Sequence, residues 1–358
     1  MLQGKDQPDN SGYLDYDFLK NGDNGETRLQ FSLISGYNFY KIPANISGRT
    51  TYTGIHIPSG TAVRITNITE SDHPVEKEAI RRHQKFILKP MPQEYFEWPI
   101  DLVEICNEAG KYIQSYVFPL KAYPAFTPIK QFLYQEKTST VLDWRNGMVR
   151  DICISILKTF SMLHANGYSY NDFNINRIFY DQKTKNIFLR YTLEMRMDED
   201  MERPIIPKKI AMEFAPPYIC KKEEFTGNID DFSISSLLFR LMIGRLPYEG
   251  KGLASFGDVF DPIRDTDSEA HKYYFQHYHE FPHFIFDPDD DSNTLGPMSE
   301  NDLPKKRWEL LPERIKIMFQ NTFIDAGTEK MKLFSCDEWL KELGRHCWKY
   351  TKDKRGLD

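Results

Sequence analysis

Between Asp230 and Tyr248 the apolar residues Leu237, Leu238, Leu241 and Met242 recur at i, i+1, i+4 and i+5, the spacing of a helix with a broad apolar face. Gly244 and Pro247 then close the run, so the pattern predicts a largely buried helix of about five turns ended by a glycine and a proline. A second helical run spans Met148 to His164, and a third, carrying Glu78, spans Val75 to Ile87. From Leu29 to about Val117 the period is different. Alternation such as Thr50-Thr51-Tyr52-Thr53-Gly54-Ile55-His56-Ile57 predicts antiparallel strands, interrupted by the helix with Glu78. Residues 1–28 are rich in Asp, Asn, Gly and Gln, with little apolar content beyond Leu14, Phe18 and Leu19, and read as a flexible polar tail. Residues 351–358 read as a basic C-terminal tail, and no internal repeat is visible.

Composition changes this picture little. A chain of 358 residues with 40% hydrophobic and 14% aromatic residues has ample material for a core. A net charge of -6 favours neither nucleic acid nor an anionic membrane as partner. Five widely spaced cysteines without a C-x-x-C pair fit a reducing cytoplasm and no zinc site. The longest apolar run, Leu237 to Ile243, is broken by Arg240, and no basic start leads into an apolar block, so neither export signal nor membrane span is expected.

Chemistry enters through a series of motifs. The string DDFSISSLLFRLMIGRLPY, with Asp230 opening it and Gly244, Pro247 and Tyr248 at its exit, resembles the long central helix of the protein-kinase C-lobe. Asp172, in Tyr170-Asn171-Asp172-Phe173-Asn174-Ile175-Asn176-Arg177, matches the base of the H-R-D-L-x-x-x-N catalytic loop. Gly60-Thr61-Ala62-Val63-Arg64-Ile65 looks like the V-A-I-K strand, and Glu78 like the ion-pair partner of its Lys. Gly48 lies where the glycine-rich loop belongs, and Ala215-Pro216-Pro217 resembles A-P-E. The resemblance runs from about Leu29 to Trp348 and is closest to divergent bacterial serine/threonine-kinase-like proteins. It implies an α+β, bilobal kinase-like fold. The N-lobe would be a small, mainly antiparallel sheet with one main helix over 29–117, and Val117-Phe118-Pro119-Leu120 the hinge. The mainly helical C-lobe would occupy 118–350 with an insert around 250–305.

The departures are as informative as the matches. Tyr170 and Asn171 replace the His and Arg of the catalytic loop, and Arg177 replaces its metal-binding Asn, with Asn176 one residue early. No Asp occurs between Asp181 and Asp198, where D-F-G would deliver a magnesium ligand, and Tyr191 stands at that place. Arg64 keeps the charge of the Lys on a planar fork, which suits a structural bridge to Glu78 better than a point contact to phosphates. One glycine in place of three makes a poor phosphate cradle. Pro217 and Leu333 replace both members of the ion pair that the resemblance places between A-P-E and the C-terminal region. Such a joint loss avoids an uncompensated buried charge.

These residues imply a pseudokinase, a scaffold or regulator with little or no phosphotransfer. Asp172 would be a remnant that hydrogen-bonds within its loop, while Arg64 and Arg177 could hold ATP or ADP without metal. Asp230, Gly244 and Pro247 would be structural. The alternatives are an atypical ATP-dependent serine/threonine kinase or other nucleotide transferase, and a plain adaptor acting through its aromatic insert. By resemblance, the protein partner would be a phosphatase or a von Willebrand A-type protein. Two further patterns stay open. His271, His277, His279 and His283 read as an aromatic packing segment or a metal cluster. Asp287, Asp289, Asp291 and Asn293 start like a calcium loop, but Ser292 and Met298 stand where its Gly and Glu belong, as in a solvated acidic loop.

Overall fold

Alternation along Thr51 to Ser71 builds two long antiparallel strands, and the rest of the first unit grows around them. The computed structural model describes residues 27–35, 38–43, 50–74, 76–106, 109–120, 126–134, 147–200, 213–219, 228–251, 278–280, 282–297, 302–326, 328 and 330–355. Two compact units divide it: residues 1–93 with 97–123, and residues 94–96 with 124–358.

In the first unit the strands are β1 (Thr27–Phe31), β2 (Phe39–Pro43), β3 (Thr51–His56), β4 (Thr61–Ser71), β5 (Asp101–Cys106) and β6 (Tyr112–Pro119), with helix α1 (Lys77–Leu88) between β4 and β5. They form one antiparallel sheet in the order β1-β2-β3-β4-β6-β5. Tyr40, Ile42, Tyr52, Val63, Ile65, Val103, Ile105, Ile113 and Val117 share its buried face, as a period of two requires. The two edge strands curl toward each other. Ser32, just past β1, bridges Val103 of β5, and Leu33 N donates to Leu102 O at 2.8 Å. Asp101 ties this seam, its carboxylate accepting from Ser32 Oγ (2.5 Å), Asn38 Nδ2 (3.2 Å) and Tyr40 OH (2.7 Å).

This nearly closed, barrel-like six-stranded sheet corrects the expectation of a bilobal protein-kinase-like fold with a small N-lobe sheet. The chain is α+β, but the twist of its strands brings the ends of the sheet together. Closure leaves little unpaired edge.

The second unit contains β7 (Phe126–Pro128), α2 (Ile129–Tyr134), α3 (Gly147–Ala165), β8 (Tyr168–Ser169), β9 (Ile178–Asp181), β10 (Asn186–Leu189), β11 (Arg196–Met197), α4 (Asp230–Ile243), α5 (Asp302–Glu309), α6 (Glu313–Phe323) and α7 (Cys336–Arg355). Strands β10-β9-β7 and β11-β8 make two small antiparallel sheets. Leu189 N also donates to Tyr95 O at 2.8 Å, which joins residues 94–96 to this unit.

Helix α4 is buried almost all round, from Phe232 to Ile243. It has 14 residues, about four turns in place of five. Gly244 at φ 89° ends it, in a left-handed conformation that glycine adopts without a Cβ penalty. Phe239 on α4 meets Phe284, Phe319 and Phe323 edge-on, with centroids 5.1 to 5.6 Å apart, and Trp339 of α7 donates to Ser235 Oγ at 3.3 Å. No described helix is long and apolar enough to cross a membrane.

Candidate functional site

In the first unit, register decides the fate of Arg64. Val63 and Ile65 point into the sheet's core, so Arg64 lies on the other face, directly across from Phe118. Its guanidinium sits 4.5 Å from the centroid of that ring and 2.7 Å from Glu97 Oε1, with both side chains only 9% exposed. The expected bridge to Glu78 does not form. Glu78 opens α1 with its side chain 73% exposed and pairs with Arg81 at 3.6 Å. Glu97 was missed because its only signal is a carboxylate between two aromatics, Phe96 and Trp98. Gly48 lies outside the described residues.

In the second unit the loop after β8 carries the candidate site, and it is fixed from beneath. Asp230, fully buried at the start of α4, accepts at Oδ2 from Tyr170 N (2.7 Å) and at Oδ1 from Asn171 N (2.7 Å). His164 Nε2 of α3 lies 3.0 Å from the same Oδ2. Asn171 adopts φ 60°, the left-handed region that Asn tolerates better than most residues. Its side chain holds that conformation by donating to Ser169 Oγ at 2.7 Å. Tyr170 sends its hydroxyl to Arg190 O at 2.7 Å, and its ring meets Phe160 and Phe173 edge-on.

Asp172 follows on this platform, 7% exposed. Its Oδ2 accepts from the Thr192 hydroxyl at 2.8 Å and lies 3.9 Å from Arg177 Nε. Arg177 also donates from a terminal nitrogen to Tyr191 O at 2.6 Å. Arg177 therefore links Asp172, in the same loop, to Tyr191 after β10. Tyr191 contributes its carbonyl, and the guanidinium supplies the positive charge beside the carboxylate. Asn176 uses its backbone N–H on Asn174 Oδ1 (2.9 Å), which fixes the turn. Thr192 escaped the sequence reading, since a buried Thr beside a Tyr has no distinctive spacing. Glu194 pairs with the buried Arg196 at 3.4 Å.

A carboxylate hydrogen-bonded to a hydroxyl resembles a base and its nucleophile. Thr192 is only 1% exposed, however, so this hydroxyl is closed to a substrate. The arrangement can hold the loop rigid and neutralise its charge.

The remaining motifs resolve into packing. Ala215, Ile219 and Ile229 form an apolar cluster with Tyr218 against it. Pro247 accepts at its carbonyl from Ile285 N (3.0 Å). In the acidic segment, Asn293 is buried and donates to Tyr248 O (2.9 Å) and His283 O (2.7 Å). Asp290 meets His283 Nδ1 at 2.7 Å. Asn293 thus serves the fold. His279 is buried against Tyr278, whereas His271, His277 and Met298 lie outside the described residues. Among the described residues no group of three or more His, Cys, Asp or Glu is placed to hold a metal ion. No family model and no curated protein matches the chain.

Proposed function

We propose that the chain is a scaffold or regulator of a protein partner that transfers little or no phosphate, the pseudokinase-type role its altered motifs imply. The observation that supports this reading is the engagement of Asp172 by Thr192 and Arg177. A base must reach the proton it abstracts, and here the carboxylate already has a hydroxyl and a cation from its own chain. Arg64 is likewise paired inside the fold, by Glu97, so its charge is already compensated within its own unit. The buried Cys153 and Cys336 keep their thiols, which accords with a cytoplasmic setting.

A thermal-shift titration with ATP, ADP and GTP, each with Mg²⁺, Mn²⁺ or EDTA, tests the proposal, because specific binding raises the stability of the folded state. A shift in EDTA, or none at all, is expected. A shift that requires metal, accompanied by phosphate transfer that Asp172→Asn abolishes, would overturn it in favour of an atypical kinase or other nucleotide transferase.

A further inference from the structure

The bonds beneath the Asp172 loop converge on one carboxylate, and a partly exposed histidine lies against that carboxylate. Asp230 Oδ1 and Oδ2 hold the two consecutive amides of Asn171 and Tyr170, and Oδ2 also faces His164 Nε2. The contacts join three elements: His164 from the last turn of α3, the two amides from the loop after β8, and the carboxylate from the first residue of α4. Asp230 is fully buried, whereas the His164 side chain keeps 23% of its surface exposed. A proton from solvent can therefore reach the ring but not the carboxylate.

We propose that His164 is a proton-operated clamp on the Tyr170–Asp172 backbone, acting through Asp230. This rests on the reading of that loop as the functional site. In the protonated state the ring donates a charge-assisted hydrogen bond, stronger than its neutral counterpart. It also balances the acidic groups around it. Asp198 lies beyond β11 and Asp231 follows Asp230 on α4, both close enough to act on the ring. From α7, Glu338 faces Asp231, and Asp337 faces the buried thiol of Cys336 while accepting from Ser161 Oγ at 2.7 Å.

Deprotonation removes the one positive charge among these groups. Asp230 is then left beside Asp231 with less to hold it in place, and the left-handed Asn171 depends on that hold. Burial opposes a charged ring, yet the Asp230 bond and the charges of Asp230, Asp231 and Asp198 outweigh it and raise its pKa above the ordinary value. The change therefore falls at a higher pH than that of an ordinary histidine.

The test is amide hydrogen exchange at Tyr170 and Asn171 from pH 5.5 to 9, with protection corrected for intrinsic exchange, beside NMR titration of the His164 ring. Protection in the wild type should fall about fivefold across the His164 titration, the equilibrium equivalent of replacing a charge-assisted by a neutral hydrogen bond. His164→Gln, which retains an N–H donor, should show no such step. Asp231→Asn leaves the clamp in place and removes a neighbouring charge, so it should move the step to lower pH. Equal, pH-independent protection in wild type and His164→Gln would overturn the clamp, as would a step that Asp231→Asn leaves unmoved. Metal-dependent phosphate transfer would overturn the scaffold reading alone and leave the exchange result standing.

Discussion

The guanidinium of Arg64 and the carboxylate of Glu97 form a 2.7 Å ion pair roofed by the ring of Phe118, with both side chains nearly excluded from solvent. Removing one member leaves the other as an uncompensated buried charge, at a cost of roughly 3 to 5 kcal/mol. Glu97→Ala should therefore lower the unfolding free energy by about that much in urea titration. Arg64→Met paired with Glu97→Leu should be markedly less harmful than the sum of the two single variants. Glu78→Ala, at an exposed position, should change stability by less than about 1 kcal/mol. A large effect at Glu78 and none at Glu97 would contradict the observed pairing.

Closure of the six-stranded sheet depends on Asp101. Its carboxylate receives the hydroxyls of Ser32 and Tyr40, the Asn38 amide and Leu102 N, and burial together with Asp101 drives the Tyr40 phenol well above its ordinary pKa. Asp101→Ala should cost about 3 kcal/mol, since two buried and two part-buried donors lose their acceptor at once. Exchange of the Leu33 amide should accelerate more than that of core strand β4. Uniform acceleration throughout the sheet would mean global destabilisation and no specific seam.

At the candidate site, Thr192→Val removes the hydroxyl that Asp172 accepts. The expected loss is about 1 to 3 kcal/mol, the cost of a lost hydrogen bond to a buried charged group. Under the scaffold reading, Asp172→Asn keeps the loop's shape and leaves partner capture within about twofold of wild type, a change worth less than about 0.5 kcal/mol. Immobilised wild-type and variant proteins, compared on the same identified partner, would decide the point.

The pair of His164 and Asp230 should also show in global stability. The folded-state pKa of His164 is raised, so its stabilising contribution is fully present below the unfolded value of about 6.5. That contribution is lost as pH rises through the folded value. The gap in unfolding free energy between wild type and His164→Gln should be widest below the unfolded value of about 6.5 and narrow as pH rises through the folded value. Asp231 contributes a separate trend in the same direction: burial raises its pKa, so its ionisation weakens the fold as pH climbs past the ordinary Asp value. Asp231→Asn should remove that component. A gap that widens with pH would reverse the sign derived for His164.

Helices α1, α3 and α4 fall within a few residues of the runs predicted from periodicity, and β3 coincides with the alternation that announced it. The exit of α4 at Gly244 was legible for the same local reason. Asp172 and Arg177 were marked by their place in a motif, but their contact with each other and with Thr192 was not. Arg64 was singled out correctly as a charged residue on a strand, and then given the wrong partner.

These differences follow from range. Hydrophobic period, glycine freedom and charge placement act over a few residues, so the sequence alone determined that the segment before about Val117 is built mainly of strands, which helix is buried, and where that helix stops. The curling of the sheet to meet at Ser32 and Val103, the choice of Glu97 over Glu78, and the convergence of Tyr170, Asn171 and His164 on Asp230 were decided only by tertiary structure. Each depends on strand twist, register and burial, which bring distant residues to one place and leave no spacing in the chain to announce them.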